Sequence, residues 1–241
     1  IGEIDEYLEK LNFKRFDTKF HGNEGWGDAF YMKTSMSISI TFEKNVDKAY
    51  IDAYDECSWV KLYYGVVSKV INENNFKKCA EIGIGYGFHA KEILMNTDVE
   101  SLYLIDPYIP YSNDGFPGDV QKYFGNFENL ANNVKHNLEP YNNRYTWFRQ
   151  PSVTIKNDQI SDNLLDLVFV DADHSYEAVK QDLVFWYKKI RSGGWLLGDD
   201  YNSCHPGTTK AVDEFANKNN LKINFLKKDG IDYPIYYFIK Q

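Results

Sequence analysis

The sequence predicts an α/β chain: a doubly wound, mostly parallel sheet with helices on both faces. Three observations predict it. From Lys77 onward, strand-sized apolar runs alternate with segments of helical period. The run Leu164–Val170 (LLDLVFV) is apolar almost throughout, as a central strand covered on both sides must be. A glycine-rich turn follows the first strand of the series and opens onto a helix.

Taken in order, Lys78–Ile84 reads as a strand, followed by a helix from about Phe88 to Asn96. Ser101–Ile105 is the next strand, Asn126–Leu138 is helical, and Arg144–Phe148 is a short aromatic strand. The Leu164–Val170 strand feeds a helix from about Ser175 to Arg191, with Ser192-Gly193-Gly194 as its stop and Trp195–Leu197 as the following strand. Pro206-Gly207 opens a helix to about Asn219. Leu221–Leu226 and Ile235–Ile239 are strands joined by the turn Lys228-Asp229-Gly230, close enough to form an antiparallel C-terminal edge. The first 75 residues differ. Ile4–Leu11 and Trp59–Asn72 have helical period, Ser35–Phe42 (SMSISITF) alternates like a half-buried strand, and His21–Asp28 (HGNEGWGD) is rich in turn-formers. Residues 1–75 read as an N-terminal extension with too small a core to stand alone, and residues 76–241 as the functional domain.

With 43% hydrophobic and 17% aromatic residues in 241, general disorder is excluded. A net charge of −8 disfavours bulk nucleic-acid or anionic-membrane binding. Cys57, Cys79 and Cys204 are odd in number and form no CxxC pair, which points to a reducing compartment, by default the cytoplasm. No apolar run approaches the roughly 20 residues needed to span a bilayer. Ile1–Leu11 reads as an acidic amphipathic helix rather than a signal peptide. The surplus of aromatics would suit a homo-oligomeric contact.

Two groups of residues carry chemistry. Cys79–Phe88 reads CAEIGIGYGF: Glu81 ends a strand, Gly83, Gly85 and Gly87 form the turn, and unpaired N–H groups at the start of the helix face any polar ligand. The next strand ends in Asp106, placed to accept the hydroxyls of a ribose. The second group is VDADHSYE at Val170–Glu177 with GDDY at Gly198–Tyr201. Asp171, Asp173 and His174 leave one parallel strand, Asp199 and Asp200 the next, so topology brings them into one crevice. Carboxylates this close need a cation or protons, and hard oxygen donors favour Mg²⁺, Mn²⁺ or Ca²⁺. Asp171, Asp199 and Asp200 are the expected metal ligands. Asp173 could equally cap the following helix, and Asp166 has no expected role. His174, on the acidic loop, is the candidate general base, with His205 the alternative; His21, His89 and His136 carry no comparable signal.

The pattern Glu-x-Gly-x-Gly-x-Gly resembles motif I of the class I S-adenosylmethionine-dependent methyltransferases, over roughly Lys77 to the C-terminus. The resemblance implies a Rossmann-like fold with S-adenosylmethionine as cofactor, Glu81 near its methionine moiety, the three glycines beneath it, and Ser152 near the adenine. DADHSYEAVKQDL with SGGWLLGDDY resembles the macrocin and mycinamicin sugar O-methyltransferases, and more distantly the metal-dependent catechol enzymes, where Asp200 would be Asn. That implies metal-assisted O-methylation of a small hydroxylated acceptor, a sugar or polyphenol. Asp171 and His174 would then be catalytic, and Pro107–Phe116 and HGNEGWGD would serve as lids or acceptor walls. Three alternatives stay open: a metal-independent N- or protein methyltransferase, an NAD-type oxidoreductase, and a non-enzymatic nucleotide-binding module.

Overall fold

The computed structural model describes residues 13–20, 27–33, 40, 42, 46–56, 61–111, 116–228 and 234–241. The chain forms two compact units, Ile1–Ser39 and Ile40–Gln241. In the first, strands β1 (Phe13–Phe20) and β2 (Gly27–Lys33) pair antiparallel, with a bulge between Arg15 and Asp17. Neither strand was expected from the sequence. Gly27 and Asp28, read as part of a turn, open β2, and the rest of that stretch and the expected helix Ile4–Leu11 lie outside the described residues. Of the expected strand Ser35–Phe42 only Ile40 and Phe42 are described, neither in a strand.

The second unit opens with α1 (Lys48–Glu56), which buries Tyr50, Ala53 and Tyr54 at helical spacing and starts where the Asp47 side chain accepts from the Ala49 N–H. Helix α2 (Val66–Asn74) begins only after Gly65, at φ 87°, so the helix expected from Trp59 starts later. Tyr63 and Tyr64 are thereby left in the turn ahead of it, both buried.

The sheet has seven strands: β3 (Lys78–Ile82), β4 (Ser101–Ile105), β5 (Tyr145–Phe148), β6 (Leu165–Val170), β7 (Ile190–Gly198), β8 (Asn224–Lys227) and β9 (Pro234–Ile239), in the order β5-β4-β3-β6-β7-β9-β8. Strands β3 to β7 are parallel, while β9 runs antiparallel to both β7 and β8. Helices α3 (Phe88–Asn96), α4 (Phe116–Phe124), α5 (Phe127–Leu138), α6 (Tyr176–Lys189) and α7 (Pro206–Asn219) connect them. The two-residue period of the strands sorts the core. Ala80, Ile82, Val168, Val170 and Leu196 pack with Val179, Leu183 and Trp186 of α6 and Ala211, Val212 and Phe215 of α7. The intervening Glu81 and Phe169 face the other way, toward His89 of α3. The doubly wound reading therefore holds.

One boundary differs. Helix α6 stops at Lys189, and Ser192-Gly193-Gly194 lies inside β7 instead of ahead of it. The pairing jumps from Leu165–Ile190 to Leu167–Trp195, so these residues form a bulge. Backbone bonds between Gly193, Gly194 and Lys240 hold the bulge in the sheet. Asp166, without an expected role, accepts from the Lys77 and Lys78 N–H groups and from Arg191, and so ties three chain segments together. Among the described residues no helix is long and apolar enough to cross a membrane.

Candidate active site

Strand order decides where the site forms. β3 sits between β4 and β6, which leave it in opposite directions, and ligands of open α/β sheets bind at such a switch point beyond the carboxyl ends of the strands. The ladder also continues one residue past each strand. Gly83 N–H donates to Ile105 O at 2.9 Å, Asp106 N–H to Phe148 O at 3.2 Å, Asp171 N–H to Ile82 O at 2.8 Å and Asp199 N–H to Val170 O at 3.1 Å. The candidate residues are thus held by the sheet itself. A cavity of about 660 Å³ opens there, with Glu81 and Asp199 both on its wall. Gly83, Gly85, Asp106, Ser152, Asp171, Asp200, His174 and His205 line it too, whereas Gly87 does not.

At the glycine turn the residues are fixed by space as much as by conformation. Gly83 has φ 82°, and a Cβ there would fall 2.0 Å from the Asp171 carbonyl oxygen. Gly87 has φ 69°, precedes α3, and would drive a Cβ to 2.7 Å from Val134, so its role is packing. Asp106 does more than face a ribose. One carboxylate oxygen accepts from the Ile84 and Gly85 N–H groups, both at 3.0 Å, and the other from Tyr108 N–H at 2.7 Å. It therefore braces the glycine turn, while burial pushes its carboxyl above the usual range despite these bonds.

Ser152 lies on the same wall, but its hydroxyl donates to Asp182 of α6, also a lining residue. Burial pushes the Asp182 carboxyl up to about 6, with the Asp173 charge adding to it. The sign follows from linkage: between the ordinary 3.8 and about 6 the folded chain keeps a proton that the unfolded chain releases. This group therefore stabilises the fold below about pH 4 and loses that contribution as pH rises to about 6, at most ~3 kcal/mol. In urea unfolding, Asp182→Asn is expected to remove that part of the slope between pH 4 and 6; an unchanged slope would show that Asp182 titrates normally.

The inner wall holds a residue that sequence reasoning passed over. Glu81 is buried at 2% exposure, and its Oε1 meets His89 Nδ1 at 3.1 Å. Burial favours a neutral Glu81 more than His89 favours its charge, so its carboxyl lies above the usual range. The only sequence signal for His89 was its position in the first turn of the helix after the glycines.

Asp171, Asp199 and Asp200 bring carboxylate oxygens within 4.8 Å of one another, and His174, Asp200 and His205 form a second group on the same criterion. His174 Nε2 lies 3.0 Å from Asp200 and 3.6 Å from Asp171, and His205 Nε2 lies 3.3 Å from Asp200. Tyr63 donates to Asp171 at 2.6 Å. Asp200 sits at φ 61°, a conformation that Asp and Asn tolerate better than other non-glycine residues, so the position accepts either. Burial opposes a charge on His174, but the hydrogen bonds and charges of Asp171 and Asp200 outweigh it and push the imidazole up to about 11. In that state it holds a proton rather than accepting one. Asp173 accepts from Ser175 N–H at 2.8 Å, consistent with a turn-stabilising role.

The sequence of residues 80–201 matches the family model described as a methyltransferase domain. An uncharacterized protein of Acanthamoeba polyphaga mimivirus is 26% identical over 170 residues, covering 64% of this chain and 70% of the relative. Among solved structures, one from Staphylococcus aureus provisionally named a caffeoyl-CoA O-methyltransferase is similar at a TM-score of 0.53 and 15% identity, covering 81% of this chain and 93% of that one. The O-methyltransferase NovP is similar at 0.51 and 24% identity, covering 72% and 76%. At these identities the solved structures speak to the fold. With the glycine turn, the switch-point cavity and the matched span together, the chain belongs to the methyltransferase-domain family, whose members draw methyl groups from S-adenosylmethionine, and it is a methyltransferase.

Proposed function

We propose that this enzyme is an S-adenosylmethionine-dependent O-methyltransferase of the metal-assisted sugar type, acting on a small molecule with adjacent hydroxyls. The observation that carries the reading is one cavity with a glycine turn at one end and the Asp171, Asp199 and Asp200 carboxylates at the other. Three carboxylate oxygens within 4.8 Å fit a hard divalent cation, with Mg²⁺ the first choice and Mn²⁺ the second because two imidazoles stand beside them. When bound, the donor supplies a sulfonium methyl and the cation acidifies an acceptor hydroxyl. The chain's own residues do the rest. Gly83 and Gly85 let the backbone approach the nucleoside, and Asp106 and Ser152 flank it on the same wall. Tyr63 fixes the orientation of Asp171 through its hydroxyl. His174 is the group placed to take the acceptor proton; it is free to do so once the charge of Asp171 and Asp200 is taken up and no longer holds its own proton. Ile109, Tyr111 and Phe116 give the acceptor or the donor an apolar wall. The working compartment we propose is the cytoplasm, and the acceptor is neither nucleic acid nor membrane.

A second reading has its own support. His174 and His205 already stand against Asp200, so the cluster has counter-charges without a cation, as a metal-independent methyltransferase would need. Calorimetry decides between them. Titration with S-adenosylmethionine is expected to show binding, and an acceptor analogue with vicinal hydroxyls is expected to bind only when Mg²⁺ or Mn²⁺ is present. Activity surviving exhaustive chelation would favour the second reading, and absence of any S-adenosylmethionine binding would remove both.

A further inference from the structure

We propose that His89 and Glu81 together form the receptor for the amino-acid tail of the methyl donor, with Glu81 Oε2 accepting from its ammonium and His89 Nε2–H donating to its carboxylate. The inference rests on the reading of S-adenosylmethionine as donor and adds a residue that neither the motif nor the matched family assigns. Both side chains line the cavity, Glu81 at 2% and His89 at 4% exposure. They are joined through Oε1 and Nδ1 at 3.1 Å, which leaves one polar atom on each, and both Oε2 and Nε2 are buried without a hydrogen-bond partner among the described residues. A buried polar atom without a partner is costly, and more so on a charged group. Two such atoms on one cavity wall therefore point to a ligand that carries a donor and an acceptor side by side.

A zwitterion meets that requirement. Its positive and negative ends mirror the negative carboxylate and positive imidazolium of the pair, so the complex buries no net charge. Burial works against a proton on His89, yet Glu81, Glu92 and Asp171 outweigh it and hold the imidazole above its ordinary value, which leaves both ring nitrogens as donors. The ring is also fixed in place. It stacks on Tyr64 at 5.7 Å and 23°, and meets Tyr63 and Phe169 edge-on at 5.0 and 4.8 Å. A donor held this way loses little freedom on binding.

The test is calorimetry with S-adenosylhomocysteine, its decarboxylated analogue, and 5′-methylthioadenosine, which lacks the amino-acid tail altogether. His89→Leu is expected to weaken S-adenosylhomocysteine binding about 10- to 100-fold, the range for a hydrogen bond to a charged group, and to leave the other two within about twofold. His89→Gln, which keeps a donor, is expected to recover part of the loss. Equal weakening of all three nucleosides in His89→Leu, or no weakening of any, would overturn the proposal and leave the donor assignment standing. Wild-type protein that binds none of the three would remove the donor assignment itself. If His89→Leu does not unfold cooperatively, imidazole-labelled wild-type protein carries the test by NMR. The His89 Nε2–H resonance should move with S-adenosylhomocysteine and not with the decarboxylated analogue, and indifference to both would overturn the proposal.

Discussion

Asp199→Ala is expected to cut turnover roughly 10³-fold while affinity for S-adenosylhomocysteine changes by less than about threefold. Asp199 leaves β7 at 6% exposure and shares its cluster with Asp171 and Asp200, whereas the glycine turn that would hold the nucleoside leaves β3. Removing one of three carboxylates takes away a ligand of the proposed cation and the acidification of the acceptor that depends on it. Asp199 has a local duty too, since its Oδ1 accepts from Asp200 N–H at 2.7 Å. Asp199→Asn separates the two roles by keeping an acceptor oxygen and discarding the charge. A comparable loss of turnover in both variants assigns the effect to charge. If Asp199→Ala loses cofactor affinity and turnover to the same degree, and Asp199→Asn loses neither, then the residue supports the fold and the proposed cation site is wrong. Steady-state kinetics beside calorimetry on the same preparations gives both readings.

Gly83→Ala is expected to have the largest effect on stability, about 3–5 kcal/mol, with cofactor binding lost along with it. Two costs combine. At φ 82° an alanine Cβ is strained by its own backbone, and at 2.0 Å from the Asp171 carbonyl it meets a group that cannot yield. That carbonyl belongs to the residue whose N–H is bonded to Ile82, so retreat would break the β3–β6 ladder at the site. Gly85→Ala provides the contrast, because the nearest atom to its added Cβ is on the Phe116 ring at 3.5 Å and only the strain at φ 51° remains. Urea unfolding should therefore rank Gly83→Ala far below Gly85→Ala. Equal midpoints would mean that the close approach to Asp171 relaxes at little cost.

Residues 76–241 were legible because local pattern and topology agree there. The apolar run of β6 and the periods of α3, α5, α6 and α7 each point to the same layered sheet, and strand-end chemistry then follows from parallel order alone. The failures have physical causes. The bulge in β7 is held by pairing with Lys240, a partner some 45 residues away that no local window contains. Helix α1 has few strong helix signals of its own and depends on burying Tyr50 and Tyr54 against Phe88, an aromatic contact across the fold. Tyr63 could not be placed at Asp171 because it comes from a turn that the sequence reads as helix. His89 was missed for a different reason: a histidine in the first turn of an amphipathic helix looks the same whether it packs or binds, and only the unpaired Nε2 tells the two apart.

The hydrogen bonds that run one residue beyond each strand make Asp171 and Asp199 part of the sheet's most protected backbone. Their amides should exchange with solvent only when the whole unit opens, on the timescale of global unfolding, whereas those of residues 107–111 exchange through local fluctuation. New acceptor preferences could then arise by changing the loop that carries Ile109 and Tyr111 without disturbing the aspartates. This fold can vary what it methylates while the groups that carry out the transfer stay anchored where they are.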